Sequence, residues 1–133
     1  MMETPMDRID KILNHDLFLY HLGRNNAAEA DRRFCRHSMV HFLDVARIGT
    51  IIALEEGLKI DREWIYAAAL LHDCGKHEQY ENGTPHEQAS ARIAPEILKA
   101  CGFNDEETGV IVTAISRHRD PEAAKEKNLN GIL

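Results

Sequence analysis

Apolar positions recur along the chain at helical spacing, and strand-like alternation is scarce. From Asp7 to about Leu22, Ile9, Ile12, Leu13, Leu17 and Leu19 predict a helix, and Gly23 follows as a stop. Asn25 and Asn26 are placed to cap the next helix, which runs through Ala27, Ala28 and Ala30 toward Phe34. A long helix is predicted over His37 to Glu56. Val45, Ile48 and Ile52 fall at i, i+3 and i+7 as an inward stripe, and Gly57 closes it. Asp61 is an N-cap signal for a helix whose Ile65, Ala68, Ala69 and Leu71 line a buried face, with Gly75 at the C′ position.

The second half is punctuated more sharply. Thr84-Pro85-His86-Glu87 reads as a capping box with proline at the first helical position. That helix is predicted to run to about Ala100 and stop at Gly102, with Pro95 as an interior flaw that removes one hydrogen bond. Asn104 to Glu107 repeats the capping logic ahead of Val110, Ile111, Ala114 and Ile115, ending near His118. Asp120-Pro121-Glu122 opens one more helix. The pattern predicts an all-α class, a bundle of six or seven helices around one core.

Composition narrows the function. A chain of 133 residues fits one domain, expected to span residues 1–133, and its 44% hydrophobic and 29% charged residues are those of an ordinary folded chain rather than a disordered one. The formal net charge of −6 argues against an extended nucleic-acid surface, while leaving a small phosphorylated substrate open. No apolar run approaches the ~18 residues of a membrane span. Met1 to Pro5 lacks a basic and an apolar signal region, so a cytoplasmic location is expected. Cys35, Cys74 and Cys101 form no Cys-x-x-Cys pair and read as reduced thiols.

The eight histidines carry the chemistry. His41 precedes Val45, Ile48 and Ile52 on the long helix and is expected on its inward face. His72 follows Ile65 and Ala69 on a buried face. Asp73, its neighbour, emerges directly from the apolar run Ala67 to Leu71. A carboxylate in such a setting needs a metal or a cationic side chain, and Lys76 is close in sequence. His86 sits in the first turn of its helix, where backbone N–H groups attract anions, and His118 ends the following one.

The block Leu70-Leu71-His72-Asp73-Cys74-Gly75-Lys76 closely resembles the signature of the HD superfamily, two apolar residues followed by His-Asp-x-Gly-Lys. His41, followed by Val45-Ala46, resembles that family's first metal histidine. His86 and His118 resemble the further histidines of its two-metal members. The resemblance covers roughly residues 35–120. It implies that His41, His72 and Asp73 bind a first metal, that Asp73 bridges to a second held by His86 and His118, and that Lys76 faces a substrate phosphate. An ion pair with a nearby acid is the plain alternative for Lys76. His37 lies one turn from His41, and periodicity does not separate the two; the Val45-Ala46 offset favours His41. His15, His21 and His77 match nothing and are assigned to surface or packing.

By the same resemblance the cofactor is one or two divalent cations among Mn, Fe, Co, Ni, Zn and Mg; a mixed nitrogen and oxygen set suits transition metals better than Ca. Asp73 and Lys76 are the residues expected to serve catalysis, in phosphoester or phosphoanhydride hydrolysis of a small, nucleotide-like substrate. Two alternatives are a catalytically impaired domain that binds a nucleotide or protein partner, and a di-iron oxygenase. The family pattern closes with an aspartate on a later helix, whereas no acid follows Glu126 and Asp120 reads as an N-cap. A truncated C-terminal end or an incomplete first metal site is therefore expected.

Overall fold

The computed structural model describes residues 7–28, 39–118 and Leu129. These residues form α1 (Asp7–Leu13), α2 (Asp16–Ala28), α3 (Met39–Glu55), α4 (Arg62–Leu71), α5 (Lys76–Asn82), α6 (His86–Ala100) and α7 (Asp105–Ser116), with no strand among them. The protein is all-α, as its periodicity predicts. No described helix is long and apolar enough to cross a membrane. His37, Cys35, the Ala30–Phe34 continuation and the helix expected from Asp120 lie outside the described residues.

α4 is the centre. Ala67, Ala68, Ala69, Leu70 and Leu71 are completely buried, and α1, α3, α6 and α7 pack around them. Burying a side chain such as Leu70 or Leu71 contributes about 1.5–3 kcal/mol. Asp61 caps the helix as expected, its Oδ1 accepting the Glu63 amide at 2.8 Å. Asn104 likewise forms a reciprocal capping box with Glu107 at the start of α7. Glu107 also accepts from Arg8 at 2.9 Å and from the Trp64 indole at 2.8 Å. The Arg8 hydrogen bonds, ahead of those from Trp64 and Asn104, hold its carboxyl down at about 2. Arg8 ties α1 to both α4 and α7, since its Nε also donates to Glu63 at 2.8 Å.

Several sequence expectations are corrected. The helix expected over Asp7–Leu22 is broken at Asn14 and His15. The Asn14 amide donates back to the Asp10 carbonyl at 2.8 Å, and His15 Nδ1 accepts the Leu17 amide at 3.1 Å, so one residue closes α1 and the next caps α2. Gly23 does not stop α2: it lies on an open face with nothing within 4 Å of a notional Cβ, and the helix continues past it. Asn25 is no cap either, but a fully buried residue within α2.

On α3 the inward stripe is Phe42, Ala46, Gly49 and Ala53, whereas Ile48, Ile51 and Leu54 are 58%, 53% and 74% exposed. Small residues let α3 pack on the alanine-rich α4, and that turns Ile48, Ile51 and Leu54 outward and leaves Val45 and Ile52 half-buried. His41 is consequently exposed at the rim rather than inward.

Gly75 is not a left-handed C′ residue, since its φ is −96°. It permits close approach instead. A Cβ there would meet Ala89 Cβ and the Ser90 nitrogen, each at 2.7 Å, so α6 crosses against bare backbone. Gly75 also starts α5, a helix the sequence pattern did not announce. Thr84 does not cap α6. Its hydroxyl bonds Asn82, Pro85 occupies the N-cap position without a side-chain bond, and Gln79 of α5 accepts the His86 amide at 3.1 Å. α6 runs unbroken through Pro95.

Candidate metal centre

The turn between α4 and α5 carries His72 and Asp73 into the interior, 7% and 4% exposed. Asn25 holds it there. Its amide donates to the Asp73 carbonyl at 2.9 Å, and its oxygen accepts the His77 amide at 2.8 Å. From the other side, Ser90 of α6 accepts the Gly75 amide at 2.9 Å. The turn is thus clamped by α2 and α6 through polar groups that are themselves buried.

The Asp73 carboxylate lies among three imidazoles. Oδ2 stands 3.3 Å from His72 Nε2, and Oδ1 stands 3.4 Å from His86 Nε2 and 3.6 Å from His118 Nε2. His41 joins from α3, its ring centroid 6.5 Å from that of His72. Donor atoms of His41, His72 and Asp73 lie within 4.8 Å of one another, and so do those of Asp73, His86 and His118. Asp73 is common to both groups. All five residues singled out from the sequence are therefore brought to one place. Lys76 borders it, its Nζ 3.5 Å from His86 Nδ1. No acid pairs with Lys76 among the described hydrogen bonds and ion pairs.

Tautomers follow from the partners. A carbonyl oxygen only accepts, so the ring nitrogen facing it carries the hydrogen. His72 Nδ1 donates to the Ala69 carbonyl at 2.6 Å, and His118 Nδ1 to the Ile115 carbonyl at 2.6 Å. His86 Nδ1 faces Gln79 Oε1 at 2.7 Å. With the hydrogen on Nδ1, the neutral form of each ring turns a bare Nε2 lone pair toward Asp73. Burial favours the neutral form, pushing His72 down from its ordinary value and His86 down to about 4, although Asp73 opposes the shift in both. His86 Nε2 and His118 Nε2 are only 3.1 Å apart. Acceptors gathered so closely cannot satisfy one another, but a divalent cation satisfies them together. The donor set, imidazole nitrogens around a shared carboxylate, fits a transition metal.

Helix ends add to this. His72 is the C-cap of α4, and His118 follows the C-cap of α7, so two negative helix ends point toward the cluster. His86 is the first residue of α6, whose end carries positive partial charge suited to an anion.

Among the described residues, the remaining histidines His15, His21 and His77 have structural roles. His15 caps α2. His21 and His77 share a buried hydrogen bond of 2.8 Å between α2 and α5. Sequence reasoning missed Asn25 and Gln79. Both act on residues brought near by the tertiary fold, and neither stands in a motif that would have flagged it.

An all-helical bundle whose α4–α5 turn delivers His-Asp into a two-lobed imidazole cluster fits the HD class of metal-binding domains. The chain belongs to the HD domain family, whose profile matches residues 39–133. This is the superfamily of metal-dependent phosphohydrolases, whose domains bind divalent cations. An uncharacterized protein of Clostridium beijerinckii is 51% identical over 118 residues, covering 89% of this chain and 75% of the relative. No solved structure matches the chain.

Proposed function

We propose that this protein is a phosphohydrolase that cleaves a phosphoester or phosphoanhydride of a small, nucleotide-like substrate with the help of one or two bound divalent cations. The observation that carries this reading is the sharing of Asp73 between the His41–His72 and His86–His118 groups. His41, His72, Asp73, His86 and His118 are the proposed ligands. Mn, Fe, Co, Ni or Zn suits them better than Mg, because imidazole nitrogens outnumber oxygens. A bound cation supplies Lewis acidity and a water whose pKa falls toward neutrality.

The chain's own residues do the rest. Asp73 is held rigidly by the Asn25 and Ser90 clamp, so little reorganisation is needed when charge develops beside it. Lys76 sits on the same turn with its ammonium at the border of the cluster, where it would neutralise a phosphoryl oxygen. The N-terminal end of α6 adds positive potential on that side. Exposed His41 marks the rim, the side from which a substrate reaches the buried carboxylate.

The test is hydrolysis of a panel of nucleoside mono-, di- and triphosphates by the full chain loaded with Mn, Co, Ni, Fe, Zn or Mg. Phosphate release that needs the added cation supports the reading. A metal-loaded chain that releases none from any of them rejects it. Oxygen consumption by a chain holding two irons would assign the oxygenase chemistry instead.

A further inference from the structure

Three rings of the cluster have their tautomer set, but not by the same means. His72 and His118 donate Nδ1–H to main-chain carbonyls three residues earlier in their own chain direction, Ala69 and Ile115. Those contacts come with the helix ends and no side chain supplies them. His86 is different. It opens α6, where no preceding helical carbonyl exists, and its Nδ1 partner is the side chain of Gln79 from the neighbouring helix α5.

The identity of the Gln79 atom is fixed by a second contact. The same oxygen accepts the His86 backbone amide at 3.1 Å. A backbone N–H only donates, so the amide atom facing it must be the oxygen and not the NH2 group. An oxygen facing Nδ1 at 2.7 Å then requires the hydrogen on Nδ1. Lys76 Nζ, 3.5 Å from that nitrogen, only donates and would favour the opposite tautomer, with a bare Nδ1. Glu87 Oε2, 3.7 Å from the same nitrogen, lies beyond hydrogen-bond distance, so Gln79 and Lys76 compete for His86. The shorter contact is the one that leaves Nε2 bare toward Asp73 and His118. The backbone of Gln79 is fixed in the last turn of α5, its main-chain carbonyl accepting the amide of Gly83, which closes the helix in a left-handed conformation with φ 79°.

We propose that Gln79 is a positioning residue that locks His86 in the Nδ1–H tautomer and so prepares the Asp73–His86–His118 group, but not the His41–His72–Asp73 group, to hold a cation. This rests on the metal reading above. It goes further in separating His86 from the other rings: His72 and His118 are held by main-chain carbonyls, whereas His86 depends on a replaceable side chain. Loss of such an outer partner weakens metal binding about 10- to 100-fold.

The experiment uses the full chain with 15N-labelled histidine. Long-range 1H–15N spectra of the metal-free protein near neutral pH report each tautomer directly. His86 is expected as Nδ1–H in the wild type and in Gln79→Glu, which keeps the accepting oxygen, and as Nε2–H or a mixture in Gln79→Met, which has none. Titration with Mn or Co is then expected to show one of two binding events weakened about 10- to 100-fold in Gln79→Met, the other unchanged, with Gln79→Glu restoring it. An unchanged His86 tautomer in Gln79→Met, or a changed tautomer with both affinities intact, overturns the proposal. If Gln79→Met does not fold, Gln79→Glu decides, and an Nε2–H His86 there overturns it. A wild type that takes up no cation overturns the metal reading itself, while the tautomer measurement still judges Gln79.

Discussion

His86 Nε2 stands 3.1 Å from His118 Nε2, and the Nδ1 hydrogen of each ring is held by an oxygen on its far side. In their neutral forms, two imidazoles so fixed turn lone pairs toward each other at their near edges. Asp73 Oδ1, 3.4 Å and 3.6 Å away, does not relieve this, because a carboxylate is another acceptor. The arrangement is stable in the company of positive charge, which is the physical basis for regarding the cluster as a cation site.

Asp73→Ala removes the carboxylate common to both groups. Metal content measured by elemental analysis after desalting is expected to fall at both groups together. Far-UV circular dichroism is expected to stay helical, because the aliphatic core around α4 is untouched. Full metal retention in a folded variant would show that the ligands lie elsewhere.

Asn25→Leu strips two buried main-chain groups, the Asp73 carbonyl and the His77 amide, of their partner. Each unsatisfied group costs about 1–3 kcal/mol. Urea denaturation is expected to show a lower midpoint at an unchanged slope. Metal affinity is expected to fall as well, because the turn carrying Asp73 is loosened. An unaffected midpoint would mean that the clamp is incidental.

Gly75→Ala forces a methyl group to within 2.7 Å of Ala89 Cβ and the Ser90 nitrogen. The obstacle is backbone rather than a flexible side-chain tip, so α6 must shift. Overpacking of this kind costs about 1–3 kcal/mol. Because α6 brings His86, cation binding is expected to weaken together with thermal stability. A variant as stable as the wild type would show that α6 yields freely.

Burial, reinforced by His77, pushes His21 down to about 4 from its ordinary 6.5. A depressed histidine binds its proton more readily in the unfolded chain. Its neutral-state contribution is therefore intact above about pH 6.5 and is lost progressively as the pH falls toward 4. Urea midpoints of the metal-free protein are expected to drop across that window, and His21→Gln is expected to reduce the drop. Equal losses in both proteins would place the acid sensitivity elsewhere.

What the sequence made legible was local. The caps at Asp61 and Asn104 depend on side chains bonding amides two or three residues away, so the spelling alone announces them. The His72-Asp73 turn is equally compact in sequence. The register of α3 was not legible, because hydrophobicity ranks Ile48 above Ala46, while close packing on an alanine-rich neighbour rewards the smaller residue. Gly75 has the spelling of a helix terminator, because α6 lying across it leaves no mark in the local sequence. Asn25 was read as a cap, since its partners are 48 and 52 residues away. The cases of Gly75 and Asn25 share one origin: a residue whose role is fixed by a distant element looks, locally, like punctuation.

The family match begins at residue 39, yet the turn at its chemical centre is tied down by Asn25, fourteen positions before that boundary, and α4 is braced through Glu63 by Arg8. The stretch that the family profile spans and the stretch that is mechanically sound are therefore different lengths. A segment cut at the family boundary would carry every proposed ligand and lack the guy-line that keeps the central one taut. Transplanting this centre into another scaffold means transplanting α1 and α2 with it.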